Sequence, residues 1–210
     1  MAMTNLYPVG DRICGEDGKE WSTEEDHGPG KEEMDSNLRQ NGDGAYGSDS
    51  LWLEHDPSFE EVKKAFSEWN LADFTELVFC GYGEPTEALE LLLQTAAYAG
   101  TLAGCPPIRL NTNGLSDLIH GTATAHRLQG LMDTVSISLN AGSQEEYMAV
   151  TRPKWENAFE AMQQFAVECR KYVPNVMFTV VDVISRDEIA AAQSLADRLG
   201  IPLRVRKYDS

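Results

Sequence analysis

The chain has 210 residues, enough for one ordinary domain with a sizeable core and short for two. Its hydrophobic share of 42% and charged share of 24% are those of a soluble globular protein, and no apolar run approaches the ~20 residues of a membrane span. Thirty-four acidic residues face seventeen basic ones, a formal net charge of −17. With no local Lys/Arg cluster to offset it, that field repels phosphates and argues against nucleic-acid binding, and solubility accounts for the acidity.

The opening MAMTNLYPVGDR lacks a basic segment followed by an apolar core, so no secretory signal is expected and a cytoplasmic location is. Residues 1–13 form a short N-terminal segment. Between Cys14 and Asn37 there are nine acidic residues, two lysines and four glycines, with Cys14, Trp21 and Met34 as the apolar punctuation. Such a stretch cannot bury enough apolar surface to offset the entropy of ordering it, so 14–37 is expected to be a disordered, solvated loop. Residues 38–210 form one α/β domain, its pattern regular from Pro57 onward.

From Pro57 the elements follow in order. Ser58 and Glu61 form a capping box, and Phe59, Val62, Phe66 and Trp69 share one helical face. An apolar strand, Leu77–Cys80, leads through a turn into a helix around Ala88–Ala99. A strand at Ile108–Thr112 and a short helical stretch ending near Leu131 come next. A strand at Thr134–Leu139 precedes a small helix over Ser143–Val150, where Ser143 and Glu146 read as a second capping box. A longer helix then places Phe159, Met162, Phe165, Ala166 and Cys169 on one face. The strand Val176–Val183 is followed by a helix that opens with Ser185 and Glu188 and closes at Gly200, and Leu203–Arg206 is the last strand. Short β-branched strands alternating with helices predict an α/β fold of parallel βα units, either an open doubly wound sheet or a partial barrel.

In such sheets ligands bind at the carboxyl ends of the strands. The first strand ends in Gly81-Tyr82-Gly83-Glu84-Pro85-Thr86, where glycines permit close backbone approach and Pro85 fixes the exit into the helix. The second ends in Asn111-Thr112-Asn113-Gly114. The third ends in Ser138-Leu139-Asn140, with Ser138 and Asn140 on one face by the period of two. Polar residues closing three successive strands point to a binding rim, although helix caps and turn formers use the same residues. No Walker A or complete GxGxxG motif is present.

FCGYGEPT, IRLNTNGLSDLIHG and DTVSISLNAGSQEEYMAVTRP, in that order and spacing, resemble radical S-adenosylmethionine (SAM) proteins. More narrowly, and together with RQNGDGAYGSDSLWLEHDP from Arg39 and LYPVGDR from Leu6, they resemble the TatD-family-associated radical SAM proteins. The resemblance covers about Leu38 to Tyr208. It implies a partial parallel (βα) barrel with about five recognisable βα units, and a small-molecule site for SAM. It further implies that the Gly83-Glu84-Pro85 turn receives the methionine amino group and that Thr112 and Asn113 face the ligand. Ser138 and Asn140 would contact its ribose or carboxylate, and Arg152 would pair with the carboxylate through a charge-assisted bond, unless it serves as a helix-capping surface arginine. Val181 and Asp182 would border adenine or substrate. A functional link to a TatD-type hydrolase is implied by the family name alone.

Radical SAM chemistry also needs a [4Fe–4S] cluster on three thiolates spaced CxxxCxxC. Counting back from Leu38-Arg39-Gln40-Asn41 at that spacing gives Asn37, Met34 and Gly30. An amide, a thioether and a hydrogen cannot replace three thiolates. The first strand and cluster loop are therefore missing or replaced, either in a clusterless relative or by a local frame or gene-model error across 14–37. The four cysteines, Cys14, Cys80, Cys105 and Cys169, lie far apart with no CxxC pair; Cys80 and Cys169 read as small core residues, and Cys14 and Cys105 as loop residues without a role. No metal site is expected, since neither His27 beside Asp26 nor the Asn41–Asp49 stretch meets a ligand pattern; Ala45 and Tyr46 stand where a calcium loop needs a ligand and a glycine. Three functions follow: a radical SAM enzyme by family that is inactive as written, a non-catalytic module binding SAM or a related nucleoside, and a structural remnant.

Overall fold

The computed structural model describes the backbone of Thr4–Asn5 and residues 55–207 except Tyr82. The expected disordered loop at 14–37 lies outside the described residues, as does the Arg39 segment up to residue 54. Six strands form one sheet in chain order: β1 (Thr4–Asn5), β2 (Leu77–Phe79), β3 (Ile108–Thr112), β4 (Thr134–Ser138), β5 (Asn175–Val181) and β6 (Leu203–Arg206). Strands β2 to β6 are mutually parallel, and β1 pairs antiparallel with β2, Thr4 opposite Phe79. A two-residue antiparallel strand sits at the edge where the resemblance places a first parallel strand, the one expected to be missing or replaced in this chain.

Strand order equal to chain order decides between the two architectures the sequence allows. Parallel crossovers are right-handed, so a strand that always steps to the same side puts every crossover helix on one face. The sheet is thus singly wound, compatible with a partial βα barrel, and not doubly wound. The helices are α1 (Phe59–Phe66), α2 (Leu89–Ala99), α3 (Ser116–His120), α4 (Gln144–Thr151), α5 (Ala158–Cys169) and α6 (Arg186–Leu199).

The two faces of the sheet differ in chemistry. Leu77 pairs with Ile108, Leu110 with Val135, Ile137 with Phe178, and this row of side chains is buried together with Leu92 and Ala96 of α2, Met162 and Phe165 of α5, and Leu195 of α6. The alternate residues face the other way and are mostly polar, among them Asn111, Ser136, Ser138, Thr179 and Arg204, with Val78, Met177 and Val181 as apolar members. Cys80 follows that alternation: with Leu77 and Phe79 directed to the core, it is half-buried at the end of β2 and outside the core proposed for it, whereas Cys169 is fully buried.

Three element ends differ from the sequence-based expectation. The first helix stops at Phe66, where the Ser67 N–H closes the last turn onto Lys63 and Lys64, so Trp69 falls outside it, 56% exposed and edge-on to Phe74. Strand β5 ends at Val181, since the Asp182 N–H makes the last bond to Arg206, and Val183 lies exposed in the turn beyond. At Ser143 the capping box is half-formed: the hydroxyl accepts from the Glu146 N–H, but the Glu146 carboxylate bonds that hydroxyl instead of the Ser143 backbone. Ser58 and Ser185 form complete boxes.

Gly142, in the loop after β4, packs directly on α6: a Cβ there would collide with Ala191 and stand 2.6 Å from the Ala192 nitrogen. Backbone cannot move aside as a flexible side chain can. Gly142→Ala should lower stability by about 1–3 kcal/mol, the usual range for overpacking, in urea or thermal unfolding.

Candidate functional site

The carboxyl ends of β2, β3 and β4 converge on a cleft of about 340 Å³, within the range of roughly 300–1,000 Å³ of small-molecule sites. Gly83, Glu84 and Pro85 contribute one wall, Thr112 and Asn113 another, and Ser138 and Asn140 a third. Seven of the ten residues singled out from the sequence therefore share one cleft; Arg152, Val181 and Asp182 do not line it. Cys80, Gly81 and Asn111 also line it. Asn111 belongs to the polar face by the same alternation that selects Ser138, and period-two counting along β3 would have found it.

Glu84 organises the site. Its Oε1 accepts hydrogen bonds from the Thr86 N–H (3.1 Å), the Thr86 hydroxyl (2.8 Å) and the Thr112 hydroxyl (2.6 Å), and its Oε2 accepts from the Asn113 N–H (2.7 Å). One carboxylate thus caps the 3-10 turn Pro85–Ala88 and ties it to the end of β3. Thr112 passes the link on, since its oxygen accepts from the Gly114 N–H at 3.0 Å. A third tie comes from His120 of α3, whose Nε2 donates to the Thr86 carbonyl at 2.7 Å. The sequence pointed to the backbone of the Gly83-Glu84-Pro85 turn; the side chain of Glu84 carries a separate, structural duty.

The lining groups divide by whether their bonds are already made. Glu84 and Thr112 are engaged with each other, and Asn113 Oδ1 accepts from the Leu115 N–H at 2.8 Å to start α3. Ser138 and Asn140 make no side-chain hydrogen bond with the described residues, and Asn111 Oδ1 is buried without a partner. A buried unpaired acceptor costs free energy that a ligand donor can recover. Asn140 also has a left-handed backbone, φ +61°, a region asparagine tolerates better than most residues. Val181 and Asp182 end β5 and do not line this cleft.

Arg152 lines a second cleft of about 370 Å³, which shares Asn113 and Asn140 with the first. It is the left-handed C-cap of α4, φ +46°, its N–H bonded to the Met148 carbonyl at 3.1 Å. The helix-capping alternative is thus realised by its backbone, and the guanidinium has no ion-pair partner among the described residues. The fully buried Tyr147 lies beneath, its ring 5.2 Å from that of Phe159, and burial pushes its hydroxyl pKa up.

The described cysteines do not suit an iron–sulfur cluster. Cys80, Cys105 and Cys169 stand on three separate segments, and burial raises the thiol pKa of Cys105 and, far more, of Cys169. Cluster ligands must be thiolates. Among the described residues no three His, Cys, Asp or Glu side chains gather on a common point, and no helix is long and apolar enough to cross a membrane. Compared with models of known protein families and with curated proteins, the sequence matches none.

Glu84→Gln keeps the shape of the side chain but turns one acceptor oxygen into an N–H donor facing other donors. It should lower stability by about 1–3 kcal/mol, the cost of leaving buried donors unpaired. Urea unfolding measures this. Amide exchange at Thr86 and Asn113 should accelerate, since both N–H groups bond the carboxylate.

Proposed function

We propose that this chain is a radical SAM-type protein that holds SAM, or a closely related nucleoside, in the strand-end cleft and does not cleave it. The observation that carries the reading is the convergence of three strand ends on one cleft with uncommitted polar groups at Asn111, Ser138 and Asn140. Those groups are of the kind that ribose hydroxyls and an amino acid's polar end can satisfy, while Gly81 and Gly83 leave backbone open to close approach. A sulfonium cation suits a protein of net charge −17. Arg152, in the adjoining cleft, is the proposed partner of the carboxylate. When bound in an ordinary member of the group, the iron–sulfur cluster supplies the electron that breaks the sulfonium bond; here no CxxxCxxC exists to hold it, and the chain's own residues do no more than bind and orient.

The remnant reading has one observation in its favour. Glu84, Thr112 and Asn113 are spent on one another and on backbone groups, as caps in a purely structural rim would be.

Calorimetric titration separates the two. Without iron to chelate the methionine end, a few hydrogen bonds and partial burial of adenine remain, which gives a binding free energy of about −4 to −6 kcal/mol and a dissociation constant nearer 1 mM than 1 μM. Asn140→Gly removes the amide and relieves the left-handed backbone, so it should weaken SAM by roughly three- to tenfold, one hydrogen bond's worth, without loss of stability. No binding at several millimolar SAM favours the remnant. Anaerobic reconstitution with iron and sulfide tests the second half of the proposal: a SAM-sensitive cluster with about four irons per chain would overturn it.

A further inference from the structure

The second cleft is a site in its own right: we propose that it binds a small molecule carrying an anionic group on a flat apolar body. The inference does not depend on SAM occupying the first cleft, which it adjoins at Asn113 and Asn140; with SAM bound, the two ligands would compete for Arg152.

Three observations point the same way. The lining includes apolar side chains, Leu115, Ile119, Val150 and the half-buried Trp155, with Val150 left 60% exposed. A solvated valine and an indole lining one cleft are surface that a flat apolar group would cover. The rim carries Arg152 and Lys154, two cations with no carboxylate within ion-pair distance among the described residues. Several other cations are matched: Arg109 with Glu76 at 2.7 Å, Arg127 with Glu90 at 2.6 Å, Lys171 with Glu168 at 2.6 Å. Glu87 is the one carboxylate on the lining, so cations outnumber anions there in a chain whose overall balance is strongly the reverse.

The third observation concerns backbone. Among the described residues two non-glycines have left-handed φ, Asn140 and Arg152, and both line this cleft. Asparagine accepts that conformation; arginine does not, and Pro153 further steers its predecessor toward extended backbone. A glycine would cap α4 with less strain. What arginine adds at this position is a cationic side chain on the cleft lining, and such strain gathers where a side chain serves a ligand.

Phenyl phosphate, a ring bearing a dianion, is the probe. Calorimetry on the full chain should find it bound at least tenfold more tightly than inorganic phosphate or benzyl alcohol, which each carry half of the recognised chemistry. Arg152→Gly and Lys154→Ala should each loosen it fivefold or more. Arg152→Gly should leave the melting temperature unchanged or higher, and Arg198→Ala, on the exposed end of α6, should change nothing. Equal, weak binding of all three compounds would overturn the proposal. So would indifference to both cleft variants. Phenyl phosphate weakened by Ser138→Ala but not by Lys154→Ala would place the probe in the first cleft and overturn it too. Loss of SAM binding alone, with phenyl phosphate retained, would sink the SAM reading and leave this one standing.

Discussion

A single carboxylate holds the functional end of this molecule together. Glu84 collects four hydrogen bonds from two segments, the turn after β2 and the end of β3, and so extends the pairing of the two strands beyond their ends. The turn after β2 contains Gly81 and Gly83 and would otherwise be among the loosest parts of the fold. Because an ionised carboxylate only accepts, it can serve backbone and hydroxyl donors on both sides at once, and charge-assisted bonds of this kind are the stronger ones. The cleft keeps its shape because its most polar lining residue is occupied with the protein itself. What remains for a ligand is the neutral set, Asn111, Ser138 and Asn140.

That division makes the site specific in a physical sense. A rim in which every polar group was free would bind water and any small polar solute. Here the engaged residues fix the positions of the free ones: Thr112 and Glu84 set the spacing between the β2 turn and β3, and the γ-like turn at Leu139–Ala141 sets Asn140 against them. The cleft next door adds supports of its own, the buried Tyr147 and the short helix α3, but α3 is tied to the first cleft through His120 and the Thr86 carbonyl, so the two cavities share part of one framework.

Much of the fold was legible in the sequence because its signals are local. The capping boxes at Ser58 and Ser185, the left-handed Gly200 after α6, and the βα alternation each depend on residues within one turn of one another. The strand ends were legible too, since a polar residue following a β-branched run in a parallel sheet has few other places to be. What was not legible depends on distant partners. Nothing near Glu84 announces that its carboxylate reaches Thr112, 28 positions away. Arg152-Pro153 signals that a helix stops, but not that the arginine turns left-handed and leaves its side chain at a second cleft. Trp69 continues the helical spacing of Phe66 and was counted with it; the helix ends three residues too soon. The choice between singly and doubly wound sheets was also hidden, because strand order is a property of pairing and leaves no periodicity in the chain.

That strand order has a consequence for how the chain reaches its native state. Each of β3 to β6 docks beside the strand that left the ribosome just before it, so no strand must be held open for a later one to insert. Parallel sheets are slow to form chiefly because they close long loops before any pairing rewards them. Adding one βα unit at a time to the growing edge keeps every such closure as short as a parallel connection permits, and synthesis from the N-terminus delivers the units in the order in which they pair.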